Sequence, residues 1–156
     1  MARLTLRITG RELPGRACGC FRDVHVAPQR GGGPDPDQLV RGDAAEASFE
    51  IPVDTTTAPD GSPDFRGPHV QGRRGARFVY LTWGELPPGE DIAAFRMFRR
   101  AKLFLADLPP ELRAGGDAGT TLSLTDAKGL PRCAGIRPPE LVWRAGGSPA
   151  PGTREG

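Results

Sequence analysis

The run Phe78-Val79-Tyr80-Leu81-Thr82-Trp83 constrains this chain more than any other stretch. Its residues are β-branched, aromatic or aliphatic, and glycines bound it at Gly75 and Gly84, the pattern of a strand. Side chains alternate across a strand, so Phe78, Tyr80 and Thr82 share one face and Val79, Leu81 and Trp83 the other. Both faces are largely apolar, which predicts a strand covered on both sides.

The partners for such a strand must come in short pieces. The 156 residues include 22 glycines and 17 prolines, a density of chain breakers that argues against long helices. Much of that excess falls at 31–36, 59–68 and 146–156. The length suits one domain with one sizeable core. We expect a single β domain over 1–144 and a disordered tail over 145–156.

Alternation supplies the strands. Leu4, Leu6 and Ile8 alternate with Thr5, Arg7 and Thr9 and predict a half-buried first strand closed by Gly10. Val24 and Val26 flank His25 in a short second strand that ends by Pro28. Residues 30–37 form a Gly/Pro loop with a mobile tip. Ala47, Phe49, Ile51 and Val53 alternate with Ser48, Glu50 and Pro52, and Pro52 marks an edge strand because it cannot donate to a ladder. Residues 92–108 fit two patterns. Ile92, Phe95, Phe98, Ala101, Leu105 and Leu108 suit a helical face, whereas Ala101, Leu103 and Leu105 alternate. We prefer a strand from about Phe98 to Ala106, followed by a short helix over 110–114. The last third predicts a hairpin: Leu122 and Leu124, a turn at Asp126-Ala127-Lys128-Gly129, a return limb over 132–136 and a final strand over 140–143. These elements imply an all-β fold, an antiparallel β-sandwich or small β-barrel with at most one short helix. The alternative is α+β with a helix at about 92–108.

Charge narrows the partners. The formal net charge is +2, too small for a global field that would draw the chain to nucleic acid or an anionic membrane. Of 21 basic residues only Lys102 and Lys128 are lysines, a bias that codon composition explains. Arg73, Arg74, Arg77, Arg96, Arg99 and Arg100 cluster in sequence around Phe78, Tyr80 and Trp83, the ingredients of a single-strand-binding sheet. The 19 acids and the expected burial of those aromatics argue against a nucleic-acid partner. No apolar run reaches the ~18 residues that span a bilayer. The N-terminus alternates instead of forming a signal segment, so a cytoplasmic protein with no membrane association is expected. Its three cysteines, Cys18, Cys20 and Cys133, should be reduced thiols.

The segments DFRGPHVQG, RFVYLTWG, FRRAKLFL and LTDAKGLPRCAGIRPP, with an N-terminal LPGR, occur in the order of a bacterial family known as domain of unknown function 5990. The chain resembles that family from roughly Leu4 to Trp143. The resemblance implies one coherent domain and brings no activity, cofactor or catalytic residue with it.

Most site chemistries find no support. Cys18-Gly-Cys20, His25, His69 and Cys133 do not match metal-ligand spacings, so neither a metal nor a cofactor is expected. There is no Gly-x-Ser-x-Gly elbow and no phosphate-binding glycine loop. The remaining candidate is the loop that feeds the organising strand. His69 is a proton carrier at neutral pH, with Asp64 to orient it. Arg66, Tyr80, Trp83, Asp126, Arg132 and Arg137 would bind substrate if the loops meet at one end of the fold. The simpler account is that Asp64 and Arg66 pin the loop by hydrogen bonds and Asp126 caps its turn. The expected function is a monomeric or homodimeric small-molecule-binding domain, with cofactor-free acid/base or cyclisation chemistry on a metabolite. The alternative is a non-catalytic module that binds protein or single-stranded nucleic acid.

Overall fold

Ten strands make two five-stranded sheets among the described residues. The structure, a computed structural model, describes residues 2–13, 22–112, 116–123 and 143–145. The strands are β1 (Ala2–Arg11), β2 (Val24–Arg30), β3 (Gly33–Pro34), β4 (Val40–Arg41), β5 (Glu46–Thr57), β6 (Pro63–Arg66), β7 (Phe78–Glu85), β8 (Arg96–Phe104), β9 (Gly116–Ser123) and β10 (Arg144–Ala145). The first sheet has the order β10-β9-β1-β5-β6; the second runs β3-β2-β7-β8, with β4 also paired to β2. Every pairing is antiparallel except β1 with β9, which is parallel. The fold is all-β, and among the described residues helix is confined to 3-10 turns such as Pro36–Gln38 and Pro110–Leu112. No helix among the described residues is long and apolar enough to cross a membrane.

The inner faces follow from alternation. Leu4, Leu6 and Ile8 of β1 lie opposite Val53, Ile51 and Phe49 of β5. Val79 and Leu81 of β7 lie opposite Leu103 and Ala101 of β8. These residues, with Trp83 and Val26, fill one core between the sheets. Burying each such aliphatic or aromatic side chain contributes about 1.5–3 kcal/mol.

Several expectations change. Gly10 does not close the first strand, which continues through Arg11. Pro28 lies inside β2 opposite Leu81. It sits between the outer pairings to β4, at His25 and Val26, and to β3, at Gln29 and Arg30. A residue without an N–H is tolerated in that gap. Pro52 is explained in the same way: β6 covers only Asp54 to Thr57 of β5, so Pro52 occupies the uncovered part. Residues 92–108 do not form the helix of the alternative reading: 3-10 turns at Ile92–Ala94 and Leu105–Asp107 flank a strand. Arg96–Phe104 form β8 because pairing with β7 buries Ala101 and Leu103, which outweighs the helical spacing.

The organising strand is covered more unevenly than expected. Val79, Leu81 and Trp83 are buried, but Phe78 and Tyr80 on the other face are only half-buried. The predicted turn at 126–129, its return limb over 132–136 and residues 140–142 of the final strand predicted over 140–143 lie outside the described residues. Trp143 is buried in the core just before β10.

Candidate functional site

The loop after β6 is held by two separate networks. Asp64, on β6 opposite Thr56, is buried and accepts from Arg77 at 3.0 and 3.4 Å. Arg66 adds a contact at 3.4 Å from an exposed side chain. The Arg77 guanidinium, opposing a smaller effect of burial, brings the Asp64 pKa down to about 2. Arg77 also donates to the Gly72 carbonyl at 2.6 Å. Gly72 has φ +86° and a Cβ there would meet the Ala76 carbonyl oxygen at 2.6 Å, so this tight turn into β7 requires glycine.

His69 belongs to the second network. Its Nε2 lies 2.8 Å from Asp35 Oδ2, and both side chains are buried. Asp35 also accepts the Asp37 N–H at 3.0 Å, capping the 3-10 turn, and contacts the Gln38 amide at 3.3 Å. Burial pushes the Asp35 carboxyl up. Hydrogen bonds from His69, Asp37 and Gln38 and the charge of Arg30 outweigh it, so the pKa falls below the ordinary value. A carboxylate only accepts, so Nε2 of His69 carries the donated proton. Nδ1 is buried without a hydrogen-bond partner among the described residues. The Gly31 N–H donates to the Pro68 carbonyl at 3.0 Å, and Gln29 and Gln71 both donate to the Gly31 carbonyl at 3.0 Å. Together these bonds latch the 30–38 loop to the 67–71 loop.

The predicted site residues are therefore divided. Asp64 does not hydrogen-bond His69; Asp35 does. The expected mobile tip at 30–37 contains this buried aspartate. Trp83 points into the core and Tyr80 to the opposite face, as alternation requires, so they cannot form one floor. Asp126, Arg132 and Arg137 lie outside the described residues, as do Cys18, Cys20 and Cys133. Asp35 was missed, although Asp followed by Pro36 is a capping signal.

A third constellation covers the outer face of β7 and β8. Cross-strand register puts Phe78 opposite Phe104, Tyr80 opposite Lys102 and Thr82 opposite Arg100. The Arg100 guanidinium lies 4.0 Å from the Tyr80 ring centre. Lys102 Nζ lies 4.4 Å from Phe78, 5.8 Å from Tyr80 and 5.6 Å from Phe104. Phe78 meets Tyr80 and Phe104 edge-on, at 4.8 and 5.9 Å. Phe104 is 40% exposed.

The two outer faces differ in charge. On the first sheet, Arg3, Arg7 and Arg11 pair with Asp54, Glu50 and Glu46, directly opposite them in register. On the second, Arg100 and Lys102 have rings for neighbours and no carboxylate within ion-pair distance among the described residues. Strand positions around them, Phe78, Tyr80, Thr82 and Phe104, hold no acid. Among the described residues, Arg3, Arg7 and Arg11 are neutralised on one face, and Arg100 and Lys102 keep their charge on the other.

Residues 4–146 match a family of unknown function, DUF5990. The chain belongs to that family. No curated protein and no solved structure matches the chain. Family membership agrees with the resemblance carried by the segment order, and this DUF5990 domain spans both networks and the cationic face.

Proposed function

We propose that this domain is a non-catalytic binding module that engages a polyanionic partner through the outer face of β7 and β8. The observation that carries the reading is the placement of Arg100 and Lys102 over Tyr80 and Phe78 without a neutralising carboxylate among the described residues. Their charged heads lie over the rings, which places two charges on a half-apolar surface. The small net charge is no obstacle, because Arg3, Arg7 and Arg11 of the opposite sheet are already paired. A bacterial cytoplasm is the setting we propose, with the chain as monomer or homodimer. Heparin chromatography tests the reading. The wild-type chain should be retained at low salt, and the Arg100→Gln/Lys102→Gln variant should elute earlier. Identical elution would remove the face from the account.

A second reading keeps the 64–70 loop as a small-molecule site with acid/base chemistry. It is favoured by Nδ1 of His69, buried and without a hydrogen-bond partner among the described residues. Asp35, in place of Asp64, would orient the ring. A metabolite screen by thermal shift on wild type and His69→Ala separates the readings. A compound that stabilises only the wild type supports a pocket, and a screen without one counts against it.

A further inference from the structure

We infer that the partner of the β7–β8 outer face is a single-stranded polynucleotide. This rests on the polyanion reading above and goes further by using the rings. Among the described residues, the face offers two features side by side: charges without carboxylates, and aromatic surface left exposed. Phe104 is 40% exposed at the end of β8, and Lys102 Nζ hovers 5.6 Å from its ring. The Arg100 guanidinium covers Tyr80 at 4.0 Å, so its own outer plane is the surface a ligand would meet.

Each polyanion class can be matched to these features. An acidic peptide satisfies the two cations and leaves the Phe104 ring without a complement. A duplex keeps its bases stacked on one another and offers only phosphates. A single strand supplies phosphates to Arg100 and Lys102 and bare base faces to Phe104 and the guanidinium plane. Strand geometry adds to the fit, because Arg100, Lys102 and Phe104 occupy alternate positions of one strand. Each successive group is therefore displaced by about 6.6–6.8 Å, giving a linear track of cation, cation and ring.

The test is fluorescence anisotropy on the full chain with labelled twelve-residue thymidine and uridine strands, beside a labelled polyglutamate of equal length. We expect either or both strands to bind, the tighter one naming DNA or RNA. Two cations predict a slope of log affinity against log salt of about −1.4, falling by about 0.7 with each of Arg100→Gln and Lys102→Gln. Phe104→Ala, at an exposed position outside the core, should weaken strand binding about tenfold through lost stacking and leave the salt slope unchanged. Thermal melting of each variant verifies the fold. Polyglutamate binding as tightly as the strands, with no effect of Phe104→Ala, would overturn the nucleotide inference and keep the polyanion reading. Strand binding indifferent to Arg100→Gln and Lys102→Gln, or no binding of any probe at low salt, would overturn both.

Discussion

Arg77, one residue before β7, holds both carboxylate oxygens of Asp64 on β6, at 3.0 and 3.4 Å. The pair ties the edge of the first sheet to the entry of the organising strand in the second. The Asp64 pKa falls from 3.8 to about 2, so the folded state prefers the ionised form more strongly than the unfolded chain does. The stabilisation is therefore complete above about pH 4 and is lost as pH falls through about 2. Asp64→Asn should remove that part of the acid dependence. Asp64→Ala should cost about 2 kcal/mol at neutral pH. Urea unfolding at several pH values checks both; an unchanged acid limb in Asp64→Asn would show that the pair contributes nothing.

Asp35 should be the more sensitive carboxylate. It caps a 3-10 turn, accepts from His69 and contacts Gln38. Asp35→Ala removes all three contacts and leaves Nε2 of His69 a buried donor without its partner, for a cost of about 3 kcal/mol. His69→Ala should cost about 1.5–3 kcal/mol. Neither change touches Arg100 or Lys102, so heparin retention of both folded variants should match the wild type. A retention change in parallel with the loss of stability would couple the latch to the face.

Much of this architecture was legible in the sequence where period two was strict. Leu4, Leu6 and Ile8, and Val79, Leu81 and Trp83, point inward as alternation requires. Residues 92–108 were ambiguous because apolar spacing fitted both periods, and only pairing of Ala101 and Leu103 with β7 decides between them. The Asp35–His69 bond joins loops 34 residues apart, and no local pattern reports such a contact. The charge contrast between the two outer faces was equally hidden. Composition counts Arg7 and Glu50 with Arg100 and Lys102, whereas register shows which cations meet an acid.

Gln38 acts as a short substitute for a missing strand. Its amide donates to the Glu50 carbonyl at 2.8 Å and accepts the Glu50 N–H at 2.9 Å. This is the part of β5 that β6 does not reach. Gln38→Ala should cost about 1 kcal/mol and speed hydrogen exchange at the Glu50 amide several-fold. Exchange at Ile51, whose partner strand is β1, should follow global stability only. Glu50 protection equal to that of the wild type would show that the side-chain bonds do not form in solution.

Gly84 sets the geometry of the cationic face. Register along β7 and β8 shifts between Trp83 and Gly84, where Trp83 opposes Arg99 and Gly84 opposes Met97. The extra residue, Phe98, makes a bulge. A Cβ on Gly84 would lie 2.3 Å from the Arg96 carbonyl oxygen and 2.7 Å from Met97 Cα. Both obstacles are backbone, so relief requires the strands to separate. Gly84→Ala should therefore cost about 3 kcal/mol and lower Tm by roughly 6–12 °C for a chain of this size. Separation at the bulge would also shift Arg100 against Tyr80, so heparin retention should fall in whatever fraction stays folded. Gly33→Ala is the control, since a Cβ there meets nothing within 4 Å and its stability should stay within about 0.5 kcal/mol of wild type. Equal melting of the two variants would mean that the bulge accommodates a side chain and that glycine is not what shapes this face.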